Sequence, residues 1–422
     1  MQKKLIALAV AGLASTAAFA QTNVTIYGIV DYGYSYRFDA RGADSLVNGV
    51  SLNKPGSSSQ LNGGQQSGNR LGFKGTEDLG NGLKAVFLME QGFNLDTGAV
   101  QDTSTFFNRQ AYVGLSGNFG TVVGGRLYTP HYTFVSGLDP FGAGTVGRYN
   151  NVYSVGAGAV PGSAFGNLTD PVRVDNALAY ISPSFGGFTV TGAFSNNASG
   201  NDSTGNNAQN NTVYALLGMY DGGALKLGAN YHYIAGGSSI STSPTSSVAS
   251  PFPAQCSLNT AGTTETCTGY VITNPTVWAV NPIDNVQNFT LGGSFDFKVA
   301  KVMALYSWNN IDISALGGKD LSLNNYMLGA TVPFGKFAAK GSYIYSDGNS
   351  AAGGDAQQLA LGLDYNLSKR TNLYSAYSWI DNSDKRINGV GDASASGSYS
   401  AGNGNPAGVW QQGFQVGVRH MF

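Results

Sequence analysis

Few residues in this sequence could do acid–base or nucleophilic chemistry. The 422 residues include three histidines and two cysteines: His131, His232, His420, Cys256 and Cys267. A hydrolase would need a histidine beside a serine nucleophile and an orienting group, but the nucleophile motif G-x-S-x-G does not occur. No set of His, Asp and Glu has zinc spacing, and no Asp-rich calcium loop of the EF-hand kind is present. The sequence therefore predicts that the protein is not an enzyme and that it uses no cofactor or metal.

The first residues have the pattern of a secretory signal peptide. Lys3 and Lys4 precede an apolar stretch, and the small-x-small sequence AFA at 18–20 is a cleavage site. We expect residues 1–20 to be removed and residues 21–422 to form the mature protein. In an exported protein, a lone pair of cysteines this close in sequence, Cys256 and Cys267, indicates a disulfide, with two free thiols as the alternative.

The composition does not fit an ordinary soluble domain. Charged residues make up 11% of the chain, against about 25% in a typical soluble domain, and 60 residues are glycine. The 23 tyrosines and 22 phenylalanines come without any apolar run long enough for a membrane-spanning helix. The formal net charge is −1, and removal of Lys3 and Lys4 makes it −3, so nothing indicates nucleic acid as a partner.

The elements that must position the polar residues are β-strands. In the stretch FTLGGSFDF at 289–297, apolar residues and glycine alternate with polar residues and glycine, which indicates a strand with one apolar face. Sixteen such segments follow one another, joined alternately by short turns and by long segments rich in Gly, Ser and Asn. A soluble β-sandwich also alternates, but its strands commonly have about 5–6 residues, whereas these have about ten, near what a tilted strand needs to cross a bilayer. The sequence predicts an all-β fold, a sixteen-stranded antiparallel transmembrane β-barrel in the outer membrane.

The polar face of these strands must line a lumen if the apolar face meets lipid. Sixteen strands enclose a water-filled channel, so charged side chains on the polar face are solvated. This face is expected to include His232, as a polar residue of the pore wall, and a set of charged residues. That set includes Arg70, Lys74, Glu90, Arg109 and Arg126.

Several segments in fixed order resemble the general diffusion porins of Gram-negative outer membranes, particularly the β-proteobacterial type. They are SGNRLGFKGTEDLGNGLKAVFLMEQGF, FFNRQAYVGLSGNFGTVVGGRLYTP, ISPSFGGF, YNLSKRTNLYSAYS and the terminal GVRHMF. The resemblance implies a homotrimer in contact with outer-membrane lipid and lipopolysaccharide. It also implies periplasmic chaperones and the outer-membrane assembly machinery as partners, with Phe422 as the C-terminal assembly signal, and small hydrophilic solutes as cargo.

The resemblance also implies that the third external loop, about residues 127–172, folds into the lumen as a constriction. Within it, LDPFG at 138–142 resembles the core of the family's constriction loop, and it includes Asp139. Arg70, Arg109 and Arg126 match the family's basic ladder on the facing wall, with Lys74 beside them. Asp139 and Glu90 are the acids that would oppose them, so positive charge dominates and we expect weak anion selectivity.

Two other channel or binding functions stay open from the sequence. A solute-specific channel would guide its solute along aromatic residues in the lumen, whereas most strand aromatics here fall on the lipid face. An adhesin or receptor barrel would act through long external loops such as the Ser/Thr-rich segment 234–285.

Overall fold

The computed structural model of the chain describes most of the strands and part of the connections. The described residues are 23–39, 46–47, 50–51, 57–153, 170–198, 212–235, 255–258, 265–268, 283–313, 320–350, 352–383, 386, 388–391, 393, 408 and 410–422. The expected signal peptide, residues 1–20, lies outside them, as do residues 154–169 of the third long connection.

The described chain is built almost entirely of strands. In chain order they are β1 (Asn23–Asp39), β2 (Leu46–Val47), β3 (Val50–Ser51), β4 (Ser58–Gly63), β5 (Arg70–Gly80), β6 (Leu83–Gly92), β7 (Gln110–Gly117), β8 (Gly120–Tyr128), β9 (Arg173–Ile181), β10 (Phe188–Ser195), β11 (Thr212–Asp221), β12 (Leu225–Ala235), β13 (Gln255–Leu258), β14 (Glu265–Thr268), β15 (Ile283–Asp296), β16 (Lys301–Ile313), β17 (Leu321–Phe334), β18 (Phe337–Gly348), β19 (Ala356–Asn366), β20 (Thr371–Asn382) and β21 (Gln411–Met421). Apart from the short strands β2, β3, β4, β13 and β14, each pairs antiparallel with its neighbour in sequence, which gives a sixteen-stranded antiparallel β-barrel over the described residues.

The barrel closes because the first strand pairs with the last. β1 and β21 are in register from Ile29 opposite Met421 to Asp39 opposite Gln411. Gly28 and Phe422 extend the seam, each donating its backbone N–H to the other's carbonyl oxygen at 3.1 Å. On its other edge, β1 pairs with β5 and, nearer the long loops, with β4. Closure leaves no free sheet edge, as lipid requires, and the predicted sixteen-stranded barrel is confirmed.

The two faces of the wall follow the predicted alternation. In β15, Leu291 is 52% exposed on the outer face, whereas its neighbour Thr290 is fully buried on the inner face. The outer face is apolar on every side of the barrel, from Val113 in β7 to Leu361 in β19. Successive side chains of a strand point to opposite faces, so the apolar set meets lipid and the polar set faces inward.

Helical structure is confined, within the described residues, to the connection after β8. Helix α1 (Pro130–Leu138) begins at its N-cap Thr129, whose hydroxyl oxygen accepts a hydrogen bond from the backbone N–H of Tyr132 at 3.0 Å. Proline at the first helical position fits because that residue's N–H has no partner in a helix. No helix in the described part of the chain is long and apolar enough to span a membrane.

The two cysteines occupy opposed backbone positions in two short strands. β13 and β14 pair antiparallel, and Cys256 lies directly opposite Cys267. Directly opposed residues in an antiparallel pair have Cα atoms about 4.5–5.5 Å apart, within the range that a disulfide spans. The backbone register therefore suits the predicted disulfide, which stays a prediction.

Candidate pore constriction

The connection after β8 folds into the barrel and lies along the inner wall. Its apolar residues face a succession of wall glycines. Phe134 lies against Gly228 of β12, Leu138 against Gly292 of β15, Pro140 against Gly329 of β17, Phe141 against Gly362 of β19 and Val146 against Gly413 of β21. We call residues 129–153 the inner loop; it runs across the half of the barrel from β11 to β21.

The glycines give this loop the room that it needs. A Cβ atom on Gly292 would stand 2.6 Å from Leu138 Cδ1, and one on Gly329 would stand 2.6 Å from Pro140 Cγ. At Gly362 the corresponding distance to Phe141 Cε1 is 2.7 Å. All are far below van der Waals contact, so the inner loop can lie this close only because these wall positions carry no side chain.

Neutral polar groups fasten the inner loop to the same wall. Asn151 donates to Gln358 Oε1 of β19 at 3.0 Å, and the backbone N–H of Val146 donates to Gln415 Oε1 of β21 at 3.0 Å. Asn325 of β17 donates to the backbone oxygen of Tyr153 at 2.9 Å. Each of these bonds satisfies a buried group that would otherwise lose its hydration.

The helix end of the inner loop carries a buried histidine cluster. His131 Nδ1 lies 3.0 Å from Asp170 Oδ1, and its Nε2 lies 3.0 Å from the hydroxyl of Tyr153 and 3.2 Å from Thr290 Oγ1. The ring of His232 packs edge-on against that of His131, with centroids 4.9 Å apart. His232 does lie on the inner face, as predicted, but it is covered by the loop instead of facing the channel. The full burial of both histidines leaves a solute no access to them.

Asp139 lies in the inner loop but does not face the channel. It is 6% exposed, and its carboxylate accepts hydrogen bonds from the backbone N–H groups of Phe141 at 3.0 Å, Ala143 at 2.9 Å and Tyr149 at 3.1 Å. Burial raises the pKa of Asp139 to about 6, and the three backbone hydrogen bonds oppose this rise. Its position is that of a residue that shapes the loop.

The wall that faces the inner loop carries the positive charge. Arg109 donates from Nε to Glu90 Oε1 at 2.7 Å and from Nη2 to the hydroxyl of Tyr128 at 2.7 Å. Tyr27 donates its hydroxyl to Glu90 Oε2 at 2.9 Å. Glu90 is therefore fixed between an arginine and a tyrosine on the basic wall itself, and it does not oppose that wall from across the lumen.

Two further arginines complete this cluster. Arg70 approaches Glu90 at 3.8 Å, and Arg173 donates to the Tyr128 hydroxyl at 3.0 Å with its guanidinium 4.8 Å from the centre of that ring. Tyr128 thus accepts hydrogen bonds from two arginines, and its ring stacks on Tyr132 of the inner loop at 5.2 Å. We call Arg70, Arg109, Arg173 and Glu90 the basic cluster; its three guanidiniums exceed its one carboxylate by two charges.

Lys74 and Arg126 lie apart from the basic cluster. Lys74 is exposed on the inner face of β5, with its Nζ 5.2 Å from the centre of the Tyr27 ring. Arg126 stands beside Ala111 on the opposite face of β8 from Val123 and Leu127. It forms an ion pair with Asp175 and donates to the backbone oxygen of Asn108 at 2.8 Å.

Two parts of the site give no signal in the sequence. Tyr128 connects the arginines, yet tyrosine is common on both faces of these strands. Residues 64–69, between β4 and β5, also enter the lumen, where Asp31 accepts the backbone N–H groups of Gln66 at 2.8 Å and Ser67 at 2.6 Å. The backbone oxygen of Gln65 in turn accepts the N–H of Thr145 at 2.8 Å, so this segment supports the tip of the inner loop.

No group of three or more His, Cys, Asp or Glu residues that could hold a metal ion occurs in the described ranges. The polar groups of the lumen instead bind one another and the inner loop.

A closed antiparallel barrel with an apolar outer face, a charged inner wall and an inserted loop is a membrane channel for hydrophilic solutes. The sequence model of the Gram-negative porin family matches residues 7–385, and the chain belongs to this family. It is a porin of the outer membrane, as the sequence predicted.

Two curated relatives and one solved structure illustrate the similarity. Outer membrane porin protein 32 of Delftia acidovorans is 33% identical over 423 residues, covering 100% of both chains. An outer membrane porin protein of Bordetella pertussis is 30% identical over 410 residues, covering 90% of this chain and 95% of that protein. An anion-selective porin from Comamonas acidovorans superposes with a TM-score of 0.67 at 28% identity, covering 95% of this chain and 100% of that one.

Proposed function

We propose that this porin is a general diffusion channel with a weak to moderate preference for anions. The observation that carries the proposal is the excess of two positive charges in the basic cluster, on the wall that faces the inner loop. Fixed charge at the narrowest cross-section sets ion preference, because wall and ion lie there within one Debye length, about 8 Å at physiological salt.

Four carboxylates that the structure describes near this level are engaged elsewhere, which supports the proposal. Asp139 is held by backbone N–H groups, and Asp170 is buried against His131 and Tyr149. Asp175 pairs with Arg126, and Asp364 pairs with Lys340 at 2.6 Å. None of these carboxylates is both unpaired and exposed to an ion in transit, so the excess positive charge is not cancelled.

The remaining features belong to the same proposal. The inner loop acts as the constriction, Arg70, Lys74, Arg109 and Glu90 set the charge around it, and Asp139 shapes it. The chain assembles as a homotrimer, Cys256 and Cys267 form a disulfide, and Phe422 serves as the assembly signal, as the family resemblance and the position of each residue suggest. A chain-mass measurement in detergent and thiol labelling before and after reduction test the trimer and the disulfide.

The experiment that tests the proposed function is a planar-bilayer recording of the purified porin across a KCl gradient. We expect stepwise conductance and a zero-current potential on the side of chloride preference, which shrinks as salt is raised because the wall charge is screened. A zero-current potential on the side of potassium would overturn the anion preference. An absence of conductance would favour a receptor barrel instead.

A further inference from the structure

The lumen holds a second feature between the basic cluster and the end of the barrel where the short turns lie. We call this end the short-turn side. A cavity of about 750 Å³ opens there between β1, the strands β5–β11 and the start of helix α1. Its lining includes Lys74, Leu88, Tyr112, Val123 and Pro130. A solute that has passed the basic cluster enters this space before it leaves the barrel.

One strip of the cavity wall is apolar, although polar residues such as Thr25, Gln110 and Thr121 also line the cavity. Val86 and Leu88 face the lumen from β6, and Tyr112 and Val123 extend the same surface across β7 and β8. Val86 and Tyr112 are only partly buried and pack against the buried Val123. A general diffusion pore does not require such a strip, because small hydrophilic solutes have no apolar surface to place on it.

The strip ends at an exposed cation. Lys74 lies directly opposite Leu88 in the pairing of β5 with β6, and Leu88 lies opposite Tyr112 in the pairing of β6 with β7. Lys74 forms no ion pair with any residue that the structure describes. Its ammonium group is therefore available to a carboxylate, in contrast to Arg109, which is already bound to Glu90.

We propose that this cavity binds amphipathic organic monoanions, with the carboxylate at Lys74 and the apolar body on Leu88, Tyr112 and Val123. Neighbouring strands lie about 4.8 Å apart, so the row from Lys74 through Leu88 to Tyr112 spans about 10 Å, and Val123 flanks its end. A carboxylate with an aliphatic chain of about six carbons, or with one aromatic ring, fits this length. The inference rests on the proposed function, because it names a solute class for the same channel.

The test uses the full-length porin in planar bilayers at about 0.1 M KCl, with acetate, butanoate and hexanoate added at the short-turn side. We expect hexanoate to reduce the chloride current saturably at millimolar concentration, with potency rising about threefold for each added methylene as more apolar surface is buried. Hexylammonium, which has the same chain and the opposite charge, should leave the current unchanged.

Two variants locate the site. Lys74→Gln should weaken the hexanoate block at least fivefold, and Leu88→Asn should flatten its dependence on chain length. Lys84→Gln is the matched control, since Lys84 is an exposed lysine of β6 outside the cavity lining, and it should leave the block unchanged. Equal potency of acetate and hexanoate, or an unaltered block in Lys74→Gln, would overturn the site.

The outcomes separate this inference from the proposed function. A chloride-preferring pore whose block shows no chain-length dependence keeps the proposed function and refutes the site. Should the protein not conduct at all, the proposed function fails. Calorimetric titration of hexanoate into the detergent-solubilised porin, with Lys74→Gln as reference, then decides the site alone.

Discussion

The two halves of the lumen wall use polar side chains in different ways. From β5 to β9, ionised groups stand close together, as in the 2.7 Å contact of Arg109 with Glu90. From β11 to β21, the groups that hold the inner loop are mostly amides and hydroxyls, such as Gln358 and Gln415. One half presents charge to the channel, and the other fixes the position of the loop.

This difference follows from the cost of burying charge. The inner loop buries the groups that it contacts on its wall, and an ion pair buried there would lose more hydration than its attraction returns unless every remaining group were bonded. Amides and hydroxyls are cheaper to bury, and each bond contributes about 0.5–1.5 kcal/mol net. Since Arg70 and Arg173 of the charged half stay partly exposed, selectivity and loop position should respond to separate sets of mutations.

The largest effect should come from adding a side chain at one of the wall glycines that face the inner loop. These are Gly228, Gly292, Gly329, Gly362 and Gly413, which we call the glycine track. Gly329→Ala places a Cβ against the rigid ring of Pro140, which cannot move without moving the loop. We expect a loss of about 1–3 kcal/mol in the stability of the docked loop, seen as noisier single-channel current and altered conductance, with unchanged zero-current potential.

The matched control for the glycine track is Gly218→Ala in β11, where nothing lies within 4 Å of the added Cβ. This variant should behave as the wild type. A quiet, unaltered current in Gly329→Ala would show that the loop is not held by close packing at this wall.

The next largest effects should come from removing single charges of the basic cluster. Removing a cation and removing the carboxylate should shift the zero-current potential in opposite directions. Arg109→Gln removes a cation and leaves Glu90 with Arg70 at 3.8 Å, so the zero-current potential should move toward cations. Glu90→Gln removes the opposing carboxylate and should move it further toward anions. Loop noise should be unchanged in both variants, because neither residue bonds to the inner loop directly. Shifts in the same direction would contradict the arrangement.

A smaller effect should appear when the pH is changed, because the ionisation of Asp139 alters the stability of the docked inner loop. Because burial raises its pKa to about 6 from 3.8, the docked loop holds the proton more tightly than a detached loop would. The stabilisation is therefore complete below about pH 4 and is lost as the pH rises through 6. We expect loop noise to increase between pH 5 and 7 and then level off, in recordings made at fixed salt.

The control for this pH dependence is Asp139→Asn, which has no group to titrate at this position. Whatever the level of its loop noise, that level should be the same at pH 5 and at pH 7. A step near pH 6 that persists in this variant would assign the titration to another group.

The smallest effect should come from Arg126. Its charge is already paired with Asp175 and lies on the other face of β8 from Leu127. Arg126→Gln should therefore shift the zero-current potential much less than Arg109→Gln in the same salt gradient. Equal shifts would mean that the Arg126 side chain reaches the channel.

Arg126 also shows how far the sequence could predict this site. Alternation placed Leu291 on the lipid face and Thr290 inside, because a period of two is visible in any long strand. It also predicted Arg126 on the inner face, which is wrong, because Arg126 lies beside Ala111 on the other face of β8. The run VVGG at 122–125 has no polar residue to mark which face is inside. The register of β8 with β9 also shifts between Gly125 and Leu127, where β9 supplies one extra residue. A bulge of this kind re-aims the side chains beside it and leaves no signal in a pattern of alternation.

The side-chain contacts inside the lumen could not be predicted from the sequence for a different reason. Glu90 was placed on the inner face correctly, but its pairing with Arg109 depends on which neighbouring strands bring their side chains together. The track of Gly228, Gly292, Gly329 and Gly362 is scattered over more than 130 residues. Its meaning appears only when the barrel sets those strands beside one another.

The seam between Gly28 and Phe422 fixes the order of events during biogenesis. A side chain at Gly28 would occupy the space that the Phe422 ring fills, so the end of β21 covers a residue near the start of β1. The barrel cannot close while β21 is still on the ribosome or in transit across the inner membrane. Until β21 arrives, any sheet that the earlier strands form has open edges. A cell that makes this protein must keep the whole unfinished chain from aggregating until then.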